Sequence, residues 1–180
     1  MTAASDALLS RPIAVADVPA AGLEVTVEAS EAERAELARC FGTGPIDRLV
    51  GSFSLTGTSE RIHVTGIVEA GLIQTCVVTL EPFATNMREE VDVTFMSTPA
   101  LERWRAAFEE PEAGETPAED EPDEIVGGAV DLGAVTAEFF ALGLDPYPRK
   151  PGAQFQYEGG DDGKTSPFAV LKNLPRREGQ

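Results

Sequence analysis

Residues 48–96, RLVGSFSLTGTSERIHVTGIVEAGLIQTCVVTLEPFATNMREEVDVTFM, carry the clearest secondary-structure signal in the chain. Four stretches of this segment are rich in β-branched residues, at about 48–56, 61–70, 72–80 and 86–96. Turn-forming residues separate them at Gly57-Thr58-Ser59, Gly71 and Pro82. Connections this short join antiparallel strands, because a parallel crossover needs a dozen or more residues. We therefore predict four consecutive antiparallel strands.

Two of these stretches alternate apolar and polar residues, which is typical of strands buried on one face only. The residues on the apolar face are Ile62, Val64, Gly66, Val68 and Ala70 in the second stretch and Val91, Val93 and Phe95 in the fourth. The pattern predicts a twisted antiparallel β-meander, either open or curled into a barrel-like sheet.

The residues before the meander predict one more strand and a helix. Residues 23–28, LEVTVE, alternate in the same way. Ser30 and Glu33 then have the spacing of a capping box, in which each side chain bonds the other residue's backbone N–H. The helix that they begin is expected to run to Arg39 and to end before Gly42. Its apolar positions are mostly alanine, so we predict a surface helix.

Two further helices are expected after the meander. Thr98-Pro99 can begin the first, whose apolar face is formed by Leu101, Trp104 and Phe108. Asp131 is an N-cap for the second. The apolar stripe of this second helix is Leu132, Val135, Phe139 and Leu142, and Gly143 ends it. The chain is thus predicted to be an α+β domain, with two or three helices flanking the sheet.

An acidic insertion separates these two helices. Residues 109–124 contain nine acids, three prolines and no base, so they cannot bury enough apolar surface to offset the entropy of ordering them. We predict a disordered loop within a flexible insertion at 109–128, with Gly127-Gly128 as a hinge. This run is either a solvated spacer or a surface that attracts a basic partner.

Composition limits the function classes. The net charge of −17 repels phosphates at long range, which argues against DNA binding and against RNA binding by the surface as a whole. The first residues lack the pattern of an export signal, and the longest uncharged run, Ala70 to Leu80, is far shorter than the roughly 20 residues of a membrane helix. We expect a cytoplasmic protein in which Cys40 and Cys76 are free, buried thiols.

The last 36 residues differ from the rest of the chain. Residues 145–180 sum to +1, whereas residues 1–144 sum to −18. Tyr147-Pro-Arg-Lys-Pro151 should be extended, because proline restricts its own φ and the residue before it. Ser166-Pro167 can open a helix of about two turns, which is marginal alone and must dock on the domain or on a partner.

The candidate contact residues in this C-terminal segment are Tyr147, Arg149, Lys150, Phe168, Leu171 and Lys172. Arg149 and Lys150 can pair with phosphates, and Tyr147 can stack on a base. A linker with ordinary solubilising charges is the alternative interpretation of residues 147–151.

No pattern indicates catalysis, a cofactor or a metal. His63 is the one histidine, and it falls on the strand face opposite Ile62 and Val64, where a solvent-facing side chain is expected. One histidine and two distant cysteines do not make a zinc site. We therefore expect neither an enzyme nor a bound cofactor.

Several of these segments together resemble the YceD family of large ribosomal RNA subunit accumulation proteins. The segments are Arg61–Ala70, Cys76–Phe83, Val91–Phe95, the acidic insertion leading into Asp131-Leu132-Gly133, Tyr147–Gly152 and Ser166–Leu174. The resemblance covers about residues 45–176 and implies one domain over 1–176. It places Thr79 where relatives have a second cysteine after Cys76.

The resemblance implies a non-enzymatic, cytoplasmic ribosome-biogenesis factor, needed for large-subunit 23S ribosomal RNA to accumulate. The implied partners are a large-subunit ribosomal RNA precursor, ribosomal proteins or both, with no membrane. An adaptor that binds a basic ribosomal protein through residues 109–124, without touching RNA, is the alternative.

Overall fold

A computed structural model describes residues 8–108 and 121–155. Its helices are α1 (Glu31–Phe41), α2 (Thr98–Phe108) and α3 (Leu132–Leu142). Its strands are β1 (Pro12–Ala14), β2 (Leu23–Glu28), β3 (Ile46–Thr58), β4 (Arg61–Thr75), β5 (Pro82–Met96), β6 (Asp123–Glu124) and β7 (Ala129–Asp131). None of the helices described is long and apolar enough to span a membrane.

The strands form two sheets and confirm the α+β prediction. The larger sheet has the order β2-β3-β4-β5-β6, antiparallel except for a two-residue parallel pairing between β5 and β6. β1 and β7 pair separately. No pairing joins β2 to β6 within the described ranges, so this sheet is open, and the barrel-like alternative gains no support.

The predicted third strand at 72–80 is wrong. β4 continues through Gly71 to Thr75 and stays paired with β5 over its whole length, from Arg61↔Met96 to Thr75↔Pro82. Gly71 lies between Arg48 and Asn86 in the ladder, so it is extended backbone and not a turn. Leu72 is buried like Ala70, which keeps the alternation in phase across the glycine.

One face of the sheet is covered and holds the core. The residues from β3, β4 and β5 in this core include Leu49, Phe53, Leu55, Ile62, Val64, Val68, Ala70 and Val91, and Val93 and Phe95 pack partly buried against it. α3 lies on the covered face and contacts β2, β3, β4 and β5. Gly51 allows this approach, since a Cβ there would lie 2.4 Å from the Phe53 ring and 2.7 Å from the Thr136 hydroxyl.

The buried stripe of α3 differs from the prediction in its last turn. Leu132 and Val135 are buried as expected, but Phe140 is buried completely, Phe139 is half-buried and Leu142 is 69% exposed. Phe140 meets the Phe41 ring edge-to-face, with centroids 5.9 Å apart. The large side chains that α3 buries in the core are therefore Leu132, Val135 and Phe140, at positions i, i+3 and i+8.

Capping side chains fix the helix starts as predicted. Ser30 and Glu33 form the capping box of α1, which ends at Gly42 in the left-handed region. Asp131 accepts hydrogen bonds from the Gly133 and Ala134 N–H groups at the start of α3.

Asp131 and Glu33 also tie down the N-terminal residues. Asp131 accepts from the Ser10 hydroxyl and the Arg11 N–H, each at 2.6 Å. The Arg11 guanidinium donates to both carboxylate oxygens of Glu33, at 2.9 and 3.0 Å. This pairing lowers the pKa of Glu33 to about 2, with smaller help from the Ser30 N–H and hydroxyl.

The last residues of the acidic insertion join the large sheet. Residues 109–120 lie outside the described ranges, but Asp123–Glu124 form β6, and the Ile125 N–H donates to the Met96 carbonyl. Gly127 and Gly128 make a turn with φ of 62° and 74°, which leads into β7. Residues 123–128 thus take a defined backbone path, and the flexibility of the insertion at 109–128 stays a prediction.

α2 begins at Thr98 as expected. Leu101 is buried and Trp104 is half-buried, which agrees with the predicted apolar face. The Phe108 side chain lies outside the described part of the chain.

Candidate functional site

The turn between β4 and β5 projects beyond the sheet and has a fixed shape. The Cys76 N–H donates to the Glu81 carbonyl, and the Leu80 N–H donates to the Cys76 carbonyl, each at 2.9 Å. Leu80 has φ of 59°, a left-handed conformation that is rare for a branched side chain. This geometry leaves the Leu80 side chain 77% exposed.

The proline segment after α3 is attached to this turn. The Val77 N–H donates to the Pro148 carbonyl at 2.9 Å, and the Lys150 ammonium donates to a Glu81 carboxylate oxygen at the same distance. Residues some 70 positions apart thus form one surface. We call this the hairpin-tip surface and define it by Val77, Leu80, Tyr147, Arg149 and Lys150.

The Cys76 thiol lies buried beneath the surface, inside a set of hydrogen-bond donors. The Thr79 hydroxyl and the N–H groups of Lys150, Thr79 and Val78 all donate toward its sulfur, and they lower its pKa to about 7 against the opposing effect of desolvation. The sulfur therefore joins the turn to the proline segment. Cys40, in contrast, is exposed, so the prediction that both thiols are buried is wrong for Cys40.

Apolar side chains point outward on the hairpin-tip surface. Val77 is 44% exposed, Leu80 is 77% exposed and Tyr147 is 71% exposed. Burying such side chains on a partner removes apolar area from water, at roughly 25 cal/mol per Å². Exposed apolar side chains on segments that also carry basic side chains are typical of a binding surface.

Arg149 is exposed and makes no hydrogen bond or ion pair with any residue that the structure describes. Every other Arg and Lys in those ranges has an interaction partner. Lys150 itself is held by Glu81. Arg149 is thus the one cation of the described ranges left available to an incoming anion.

A sequence model of one protein family matches residues 64–175, more than half of the chain. The description of this family is "large ribosomal RNA subunit accumulation protein YceD". The chain belongs to the YceD family. No curated protein and no solved structure matches the chain.

The YceD match contains the whole hairpin-tip surface. It runs from within β4, through the turn at Cys76 and through α3, and past the proline segment. β2 and α1 precede it. The family description therefore applies to the part of the chain that builds this surface.

The structure brings together three of the six predicted contact residues. Tyr147, Arg149 and Lys150 lie on one exposed segment, and their role as contact residues stays a prediction. Phe168, Leu171 and Lys172, with the helix predicted from Ser166, lie outside the described residues and stay predictions.

Sequence reasoning missed Val77 and Leu80 as members of this surface, and it missed Cys76 beneath it. The available signals were weak: two apolar residues in a turn, and a Cys-x-x-Thr spacing whose hydroxyl can bond the thiol.

A second region with polar side chains lies on the open face of the sheet. His63 Nε2 is 2.7 Å from Asp92 Oδ1, and the His63 side chain is 43% exposed, which confirms its predicted outward position. The pair borders a hollow of about 890 Å³, which Thr56, Thr94 and Asp123 also line. No group of three or more metal-binding side chains forms within the described ranges.

The acidic-adaptor alternative falls mostly on undescribed residues. At the described end of that run, Glu121 pairs with Arg105, and Glu124 accepts a hydrogen bond from Thr98. These two carboxylates are already engaged within the domain.

Proposed function

We propose that this chain is a non-catalytic ribosome-biogenesis factor that contacts a precursor of the large-subunit ribosomal RNA through its hairpin-tip surface. The family description supports the link to large-subunit ribosomal RNA. The observation that carries the contact site is the exposed Arg149, which pairs with no residue that the structure describes and lies two positions after an exposed Tyr147. We place this activity in the cytoplasm.

Charge favours a small contact site over a broad one. The net charge of −17 repels RNA phosphates, so binding spread over the whole surface is unfavourable. A guanidinium forms bidentate hydrogen bonds with a phosphate, and a tyrosine ring stacks on an unpaired base. These two groups suit a short single-stranded segment of a folded RNA.

Attachment of the proline segment supports the same proposal. The bond from Val77 to Pro148 and the pair between Lys150 and Glu81 hold the backbone of Tyr147 and Arg149 in place before binding. A segment that is already ordered loses less entropy when a partner binds it.

The non-catalytic part of the proposal rests on the bonding of His63. Its described partner is the carboxylate of Asp92, and no hydroxyl or thiol bonds the ring within the described ranges. Nucleophilic catalysis by this pair would need such a group beside it.

The test is crosslinking in cells, followed by recovery of the protein and measurement of bound large-subunit precursor RNA. Tyr147→Ala with Arg149→Glu should lower recovery by about tenfold, because a phosphate contact and a stacking contact are lost together. Unchanged recovery would contradict the proposal.

A control makes the same change in charge, with loss of one exposed apolar side chain, near the opposite end of β5. Val126→Ala removes a side chain that is 75% exposed, and Arg103→Glu reverses an exposed arginine near the β3–β4 turn. With β5 running about 45 Å between the two ends, this double variant should bind as the wild type does.

A further inference from the structure

β2 is the edge strand of the large sheet, and one side of its backbone pairs with no strand that the structure describes. Its six residues pair with β3 in continuous register, from Leu23↔Leu55 to Glu28↔Val50. One residue further on, the Ala29 N–H donates to the Leu49 carbonyl at 3.1 Å. Ala29 is thus in a hydrogen-bonded pair, and because such pairs alternate along an antiparallel ladder, Val27, Val25 and Leu23 are too.

The backbone groups of the other three residues point away from β3. The N–H and C=O groups of Glu24, Thr26 and Glu28 form this outward row, and no described backbone or side-chain group bonds them. All three residues are exposed. An open row of this kind is a template for a further strand.

Two side chains of the row carry negative charge. Neither Glu24 nor Glu28 forms an ion pair or hydrogen bond with a described residue. Two copies of this chain pairing antiparallel about Thr26 would set Glu24 opposite Glu28, a like-charge pairing that is destabilising. The charges thus disfavour a second copy and favour a strand with basic side chains.

The face of β2 that points toward the core offers an apolar contact. Leu23 and Val25 face the core but are only partly buried, and they pack at its margin. An added strand with apolar residues at alternate positions would extend the covered face over them. The required partner therefore alternates basic and apolar residues.

We propose that the free edge of β2 binds an extended basic segment of a partner protein, which adds to the sheet as a further strand with Lys or Arg facing Glu24 and Glu28. This site lies outside the family match and uses none of the hairpin-tip residues. Its failure in a test would leave the proposed RNA contact unaffected.

The test uses the full-length protein and a short synthetic peptide of alternating Lys and Val as the probe. We expect saturating peptide to slow amide hydrogen exchange at Thr26 and Glu28 by at least about tenfold, since their N–H groups become bonded. Equal binding by an alternating Glu and Val peptide, or protection confined to other residues, would overturn the proposal. Slowing of the same two amides by a single-stranded RNA would overturn it as well.

Two variants separate the backbone contribution from the charge contribution. Thr26→Pro removes one outward N–H, a change that an edge strand tolerates, and should weaken peptide binding about fivefold. Glu24→Lys with Glu28→Lys keeps the strand and should weaken binding about tenfold.

The control for the double variant is Glu102→Lys with Glu138→Lys, which makes the same change in charge at exposed positions on α2 and α3. Its affinity should stay within about twofold of the wild type. The assignment would be overturned if the two double variants lost affinity equally. It would also be overturned if Glu24→Lys with Glu28→Lys, or Thr26→Pro, lost no affinity for the peptide.

Discussion

The covered face of the sheet and the hairpin-tip surface use apolar side chains in opposite ways. On the covered face, Phe53 and Phe140 are at most 2% exposed and belong to the same hydrophobic core. On the hairpin-tip surface, Val77, Leu80 and Tyr147 are between 44% and 77% exposed. Side chains of the first kind stabilise the fold, whereas those of the second kind add little to it and are available to a partner.

The ionic groups follow the same division. Near the covered face, Arg11 and Glu33 neutralise each other through two hydrogen bonds. On the hairpin-tip surface, Arg149 has no partner in the described ranges. If this division is correct, substitutions in the first region should change stability, and substitutions in the second should change binding alone.

The largest effect is expected from Phe140→Ala. Removing a completely buried ring leaves a cavity and should lower the free energy of unfolding by about 3–5 kcal/mol in urea denaturation. The control is Leu142→Ala, two residues away and 69% exposed, which should cost less than about 1 kcal/mol. Equal losses would mean that burial does not separate these positions.

Asp131→Ala should have the next largest effect, about 2 kcal/mol, because its carboxylate accepts from four donors at the start of α3 and in the N-terminal segment. Thermal unfolding measures it. Asp145→Ala removes a carboxylate with one backbone donor, the Tyr147 N–H, and should cost less than about 1 kcal/mol. A larger loss for Asp145 would reverse the comparison.

Glu33 should give a pH-dependent contribution to stability. Its folded-state pKa, about 2, lies below the ordinary value of 4.5, so ionised Glu33 stabilises the fold above about pH 4.5 and this contribution is lost as the pH falls toward 2. After allowance for partial exposure, we expect about 1 kcal/mol. Glu33→Gln should remove this dependence between pH 2 and 5, and a variant with the wild-type dependence would show that the ion pair is not its source.

A small change in stability is expected from Thr79→Val, beneath the hairpin-tip surface. Losing the hydroxyl should raise the pKa of Cys76 from about 7 toward its usual range, while unfolding changes by no more than about 1 kcal/mol. Ultraviolet titration of the thiolate measures the pKa. Thr79→Ser keeps the hydroxyl and should keep the pKa, so equal pKa values in both variants would contradict the role of this bond.

The sequence predicted those parts of the fold that depend on neighbouring residues. Ser30 with Glu33, and Asp131 before α3, are capping patterns read within a few positions. The alternation in β2, β4 and β5 is equally local. The predicted turn at Gly71 was wrong because Gly71 is paired with strands on both sides. Its ladder partners, Arg48 and Asn86, lie far from it in the sequence and keep it extended.

The candidate site was only half predictable. Tyr147, Arg149 and Lys150 stand out as basic and aromatic residues between prolines. The turn that holds them is some 70 residues away, and Val77 meets Pro148 through backbone atoms that any residue supplies. A contact of this kind leaves no pattern in one sequence. The buried Phe140 was missed for a similar reason, since Phe139 and Phe140 fit a helical stripe almost equally well.

The most direct measurement of the central claim combines two properties of purified protein carrying Tyr147→Ala and Arg149→Glu. We predict that its free energy of unfolding stays within about 0.5 kcal/mol of the wild type, and that its co-sedimentation with large-subunit precursors falls about tenfold. A stable variant that co-sediments as the wild type does would contradict the account.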